Sequence, residues 1–415
     1  MPLTEKVREA IARGVRITDP FSVEIGEEVS LARISGQGVV IYGGSKLYGA
    51  RTLLSEGVKI GAEGPATVVD CLLGAQAELN GGFFQSSVFL DKASVTSGAH
   101  IRECSLLEEE TKTGHTVGLK HTILFPFVTL GSLINFCDCL MAGGSSRKDH
   151  SEVGSSYVHF NYTPRQDKAT PSLIGDVPAG VMLNQPPIFL GGQGGLVGPV
   201  RIDYGTVIAA GTVWRRDSSG TKLLHGIESR PRSQDFHVEC YGDIRLKVYN
   251  NITYIANLLA LKQWYSHVRR LFFLKQEMGK ELFEGAMELL ERAIGERLIR
   301  FRDFSEKMDK SIAIGKKKGC IGRDSLFRQQ ELKEKWPGIE ACLKASPAED
   351  SGKKNRDIFL KLLQERADGH TGYIDMIRNL DAGARLEGTL WLRQIVDDIV
   401  GKAIHNLQSF YSSVI

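Results

Sequence analysis

Apolar residues recur every six positions through the first half of the chain. Ile41, Leu47 and Leu53 form one run, Leu73 and Leu79 another, and Phe89, Val95, Ile101 and Leu107 a third, followed by Val117 and Ile123. After an interruption the rhythm returns at Leu190, Leu196, Ile202 and Ile208, with Trp214 next in phase. A period of six fits neither an α-helix nor a simple alternating strand. It fits a β-solenoid whose coil is a triangle, each side a short hexapeptide strand with one aliphatic residue pointing to the axis. Small residues are expected just after the inward position, because the corner is cramped and can need positive φ. Gly74, Gly118, Gly131, Gly154 and Gly191 fit that place. A flexible glycine-rich linker would not carry so many aliphatics.

The pattern divides the chain into three parts. Residues 1–36 begin with an amphipathic helix over Leu3–Ile11, then two short strands near Phe21–Val23 and Val29–Ile34. Residues 37–235 form the solenoid. Its register breaks at 143–150 and again near 163–187, a proline-rich stretch; both read as loops extruded from the coil. Residues 236–415 have helical spacing and form an all-α C-terminal domain, with Val248, Ile252, Ile255 and Leu259 on one stripe. Further helices are expected over Lys280–Phe304, Arg323–Lys335 (stopped before Pro337), Asp357–Arg366, Tyr373–Leu380 and Leu386–Tyr411, with Gly315–Gly322 as a solvated connector.

Composition narrows the function classes. Lys plus Arg number 52 against 49 Asp plus Glu, so net charge gives no reason to expect a nucleic-acid or anionic-membrane partner. No apolar run is long enough for a spanning helix, and charges at Glu5, Lys6, Arg8 and Glu9 argue against a signal peptide. The expected location is cytoplasmic. The seven cysteines show no CxxC pair, which suits reduced thiols; Cys137 and Cys139 alone do not make a metal site.

Between Arg102 and Tyr162 the chain becomes distinctive. The segment from Gly118-Leu119-Lys120-His121 through Gly131-Ser132-Leu133-Ile134-Asn135-Phe136-Cys137-Asp138, then Val153-Gly154 through Asn161-Tyr162, Ile174-Gly175-Asp176 and Val207 to Val213, resembles the acetyltransferase half of the bifunctional N-acetylglucosamine-1-phosphate uridyltransferase/glucosamine-1-phosphate acetyltransferase family. The resemblance covers roughly residues 41–216. It implies a left-handed parallel β-helix, a homotrimer, and acetyl-CoA as acyl donor. It places Arg102 and Lys120 on the sugar-phosphate anchors, and a guanidinium fork with an ammonium suits a phosphate. Asn161 and Tyr162 fall on the Asn-Tyr that lines the acceptor and donor groove between subunits. Several positions depart from the family. Ser132 stands where it has its catalytic histidine, Asn135 where it has a substrate-binding tyrosine, Glu152 near a substrate-binding asparagine, and Gly192 where a serine meets the acyl donor. The family's nucleotidyltransferase domain has no counterpart motif.

Two readings follow. One is an acyl-CoA-dependent N-acyltransferase acting on an amino-sugar phosphate or nucleotide sugar, with His150 or His159, or a water held by Ser132, serving as base. The other is a binding or regulatory relative that kept the sugar pocket and lost the chemistry with its histidine.

Overall fold

The computed structural model describes residues 3–160, 167–218, 224–226, 236–366 and 371–411. Its first half is a parallel β-solenoid of about 11 turns, followed by a helical region with nine helices among the described residues. The hexad period therefore identifies the architecture. One face of the prism is an 11-stranded parallel sheet running from Arg16–Ile17 to Leu224–His225. The second and third faces are joined because Gly118–Leu124 and Asn135–Met141 bend round the corner between them as continuous strands.

The internal ladders are the reason the stack holds. On the first face Ile41, Ile60, Leu79, Val95, Thr113, Leu130, Val153, Leu190 and Ile208 follow in register, all buried and aliphatic but for Thr113. On the second face Leu47, Val68, Phe84, Ile101, Leu119 and Phe136 do the same. Burying a column of such side chains contributes about 1.5–3 kcal/mol per residue relative to exposure. The expected positions Leu53, Val117 and Ile123 are not ladder members. Coils differ in length, and Leu54, Leu119 and Leu124 take the inward register instead. The N-terminal segment is also not separate from the solenoid: Arg16–Ile17 pairs with Val40–Ile41, and Glu24–Ile25 with Lys46–Leu47. The expected strands of that segment shift accordingly.

The corners use two devices. Gly131, Gly154 and Gly191 have no room for a Cβ, which would sit 2.8, 2.4 and 2.3 Å from the next coil's backbone nitrogen. Positive φ falls two residues further on, at Leu133, Ser156 and Gln193. Gly118 instead opens a strand on the second face.

The third face is apolar on both sides. Leu53-Leu54, Leu72-Leu73, Val88-Phe89, Leu106-Leu107, Ile123-Leu124 and Leu140-Met141 are all buried. One residue of each pair faces the axis. The other meets the helical region, where helix 279–306 packs so tightly that a Cβ on Gly285 would lie 2.4 Å from Leu72. Polar groups pin the same junction: Arg297 to Asp138 at 2.8 Å, Arg51 to Glu288 at 2.6 Å, and the Asn257 side chain accepting from Val177 N at 2.9 Å.

The helices follow the expected spacing with two corrections. Arg323–Lys344 runs through Pro337, because Trp336, stacked edge-on to Phe301 at 4.9 Å, and Ile339 bury against the bundle and outweigh the local cost of a proline. Only the first half of the expected connector is helix: Met308–Lys318 ends at Gly319, whose φ of 65° caps it.

Carboxylates cluster at the junction. Asp91 accepts from Ala75 N at 2.9 Å and from Gln276 at 3.1 Å. Burial, with Glu109 nearby, pushes its carboxyl from 3.8 up to about 6. The folded chain thus holds a proton there more tightly than the unfolded chain. That stabilisation is complete below pH about 4 and is lost as pH rises through about 6, up to about 3 kcal/mol. Urea midpoints measured from pH 4 to pH 7 should fall less steeply for Asp91→Asn than for the parent; equal slopes would refute this.

Candidate functional site

The expected site residues sort by the corner or face on which the coils place them. Ser132 lies at the corner between the first and second faces. Its N–H donates to Ser155 Oγ at 3.1 Å, and the next N–H, of Leu133, donates to His115 O at 3.0 Å. Gln193 N donates to Ser155 O at 2.8 Å, which puts Gly192 on the following rung. His115, Ser132, Ser155 and Gly192 thus form one column along the edge of the prism. His115 was not among the expected residues. It is exposed, one coil before Ser132, with Nδ1 3.3 Å from Thr116 Oγ1. The absent Cβ of Gly114 makes room for the Ser132 hydroxyl, which would otherwise be 2.6 Å from it.

From that corner the chain runs onto the second face. Its outward row reads Phe83, His100, Gly118, Asn135 and Val158 in register. Two residues along the strands, a parallel row contains Lys120 beside Cys137. Arg102 immediately follows Ile101, the partner of Leu119, so it stands one rung from Lys120. Both cations act on the Cys137 thiol: burial and Asp138 push its pKa up, while Arg102, Lys120 and Arg297 pull it down. The two basic groups expected to share an anion are therefore neighbours. Their ion pairing differs. Lys120 Nζ is paired with Glu103 at 2.8 Å, and that contact helps hold the Glu103 carboxyl low against the opposing effect of burial. Arg102 is exposed and has no carboxylate partner among the described residues.

The remaining candidates lie elsewhere. His159 points inward, in register with Leu196, 4% exposed, its Nε2 2.8 Å from Ser172 Oγ. Burial lowers its pKa to about 4, so it is a neutral interior imidazole and not an outward base. His150 closes a small hairpin, Gly144–Ser146 with Asp149–His150, and enters the first face at the end away from Ser132. Burial and Arg147 lower its pKa. Glu152 faces out from the first face between Thr129 and Phe189, not beside Asn135. Asn161 and Tyr162 lie outside the described residues. Among the described residues no cluster of metal-ligating side chains occurs. A separate cavity of about 430 Å³ lies between the third face and the helices, but its arginines are already paired, Arg201 with Asp217 at 3.2 Å and Arg393 with Asp176 at 3.3 Å.

No protein-family model matches the chain. Among curated proteins, Bifunctional protein GlmU of Thermotoga petrophila is 29% identical over 213 residues, covering 51% of this chain and 42% of that protein. The Thermotoga maritima protein of the same name gives the same figures. That of Geobacillus sp. (strain WCH70) is 24% identical over 244 residues, 59% of this chain and 46% of that protein. The chain is similar to Bifunctional protein GlmU over about half its length. It spans less than half the length of these relatives. The similarity and the parallel solenoid together fit the β-helix acetyltransferase half of that bifunctional family. No helix among the described residues is long and apolar enough to cross a membrane.

Proposed function

We propose that this chain is an acyltransferase that moves an acyl group from acetyl-CoA or a related thioester to the amine of a phosphorylated amino sugar. The observation that supports it most is the open second face, where Arg102 and Lys120 stand on neighbouring rungs within one strand's length of Ser132 and His115. At about 3.3 Å per residue, the five residues from Ser132 to Cys137 span roughly 15 Å, the scale of a hexose phosphate with its acyl donor alongside. Arg102 takes the phosphate through its guanidinium fork, and Lys120 adds positive potential that Glu103 partly offsets. Asn135, exposed between the two groups, offers both a donor and an acceptor to sugar hydroxyls. His115 supplies the imidazole that Ser132 lacks; a hydroxyl alone does not take a proton from an amine near neutral pH. In a homotrimer, the first face of one subunit, carrying Glu152, Phe189 and the Gly192 edge, would close the groove over the second face of the next. Exposed Leu133, Phe160, Phe189 and Val213 on these two faces favour such packing.

A second reading keeps the same pocket without turnover, as a sugar-phosphate or nucleotide-sugar binding protein. Ser132 at the corner and the Lys120–Glu103 pair favour it. Isothermal titration separates the two. Glucosamine 1-phosphate and acetyl-CoA should both bind, with thiol released on mixing. Sugar-ligand binding without any acyl-donor binding would leave only the second reading. Arg102→Ala should weaken sugar-phosphate binding by about 10–100-fold, from loss of a charge-assisted hydrogen bond. Lys59→Ala, on the first face and paired with Glu78, should leave it unchanged. Equal affinities for all three proteins would remove the anchor assignment.

A further inference from the structure

We propose that Cys240 and Cys320 form a redox-active dithiol that closes into a disulfide when it meets a low-molecular-weight disulfide. The two residues are 80 positions apart, yet their Sγ atoms lie 3.1 Å from each other. A disulfide needs about 2.05 Å, so closure asks for a movement of only ~1 Å. Accessibility suits the chemistry: Cys320 is exposed and Cys240 half-buried. Cys71, Cys104 and Cys139 are buried in the solenoid, and burial pushes the Cys71 thiol up to about 12. Those thiols are shielded from solvent-borne oxidants and resist ionisation.

The two sulfurs are held in place by ordered neighbours on both sides. Tyr241, next to Cys240, is buried edge-on against Phe304 at 5.2 Å, and its N–H donates to Ser311 Oγ at 2.9 Å. The Gln329 amide donates to Gly242 O at 3.0 Å, and Lys310 pairs with Glu239. Cys320 follows Gly319, which caps helix 308–318 with a φ of 65°. The segment leading into helix 245–264 is thus laid along helices 308–318 and 323–344, with one cysteine on each side of the seam. That same helix 245–264 docks on the solenoid through Lys247 to Asp167 at 2.6 Å, and through Asn251 to Ala169 O at 3.0 Å. Closure would tie the lead-in of the docking helix to the turn between two helices of the bundle.

The reaction balances without a further reductant or oxidant. The exposed Cys320 sulfur attacks one sulfur of the small disulfide, forming a mixed disulfide and releasing one thiol. Cys240 sulfur then attacks Cys320 sulfur, the mixed S–S bond breaks, and a second thiol leaves. The two cysteine protons end on the two released thiols.

The full chain, treated with oxidised glutathione and then denatured and alkylated, tests this. Titratable thiols should fall from seven to five. Peptide mass mapping should find Cys240 joined to Cys320, and the Tm should rise by about 5 °C and return on reduction. Cys240→Ser and Cys320→Ser, checked for an unchanged Tm when reduced, should each abolish the cross-link and the Tm shift. Seven titratable thiols after treatment, a cross-link between other cysteines, or a Tm shift that survives in either variant would each overturn the proposal. So would mixed disulfides on the parent that never resolve.

Discussion

Arg269→Ala should destabilise the helical region by about 3–5 kcal/mol, the cost of stranding a buried charge without its partner. Arg269 is 1% exposed and is held by one short ion pair, Nη2 to Glu109 Oε1 at 2.5 Å. Its guanidinium lies 3.8 Å from the Tyr373 ring centroid, with Tyr265 at 5.3 Å and Phe273 at 5.0 Å. Nothing among the described residues satisfies its Nε and Nη1, or Glu109 Oε2. The pair therefore carries little surplus stabilisation, but removing one half leaves the Glu109 carboxyl in an apolar seam without its countercharge. Glu108 makes matters worse. Its carboxyl, bonded to the Tyr265 hydroxyl at 2.5 Å, is raised by burial and lowered by Arg269, so losing the arginine forces it further towards neutrality. The double change Arg269→Met with Glu109→Leu should recover most of the loss, because apolar side chains of similar volume can replace a buried ion pair at little cost. Urea unfolding of the three proteins, followed by far-ultraviolet circular dichroism, checks both statements. A double variant as unstable as the single would mean that aromatic packing on the guanidinium, not charge burial, decides the effect.

This seam also shows what the amino-acid pattern could and could not disclose. The solenoid was legible because its interior is one repeated environment: an inward aliphatic every six residues is visible without knowing which coil touches which. The third face carried a further signal that the hexad count alone passes over. Paired apolar residues such as Leu72-Leu73 and Leu106-Leu107 cannot both point to the axis, so the second of the two surfaces had to be covered. The covering helices were legible from their own period; their dock was not, since it depends on Glu108, Glu109 and Asp138, which look like ordinary surface carboxylates in sequence.

The site was legible only where coils are uninterrupted. Arg102 and Lys120 align because no insertion separates their rungs. His159 was misread because the excursion after it hides its register with Leu196, and only that pairing shows that it joins an aliphatic ladder. His150 lies close to Ser155 along the chain, yet a whole strand of the first face, Glu152–Val153, intervenes before the corner column resumes there. Pro337 was read by its local rule, and tertiary packing of Trp336 and Ile339 overrode it. His115 was missed for a simpler cause. It belongs to Ser132 only across the stack, one coil back, where linear motif comparison does not look.

That cross-coil pairing makes the sharpest functional claim. His115→Ala should lower acyl transfer by about 10²–10⁴-fold, the range supplied by a positioned general base. Binding of the sugar phosphate should stay within a factor of about 3, since Arg102 and Lys120 occupy the far end of the groove. The geometry gives the reason. Moving a side chain by one coil shifts it by about 4.8 Å along the axis while keeping it at the same corner and pointing the same way. An imidazole at His115 can therefore reach the space above the Ser132 hydroxyl, provided the acceptor amine sits between the two rungs. Two further variants separate a base from a structural residue. His115→Gln, which keeps size and hydrogen bonding, should be as inactive as alanine if proton transfer is the role. Moving the group back, with His115→Ala and Ser132→His together, should restore a large part of the rate, because the replacement lies one rung away on the same column. The rate–pH profile of the parent should show an ascending limb that both single variants lose. If His115→Ala retains the parent rate and profile, proton removal falls to another group and the corner column is only scaffold.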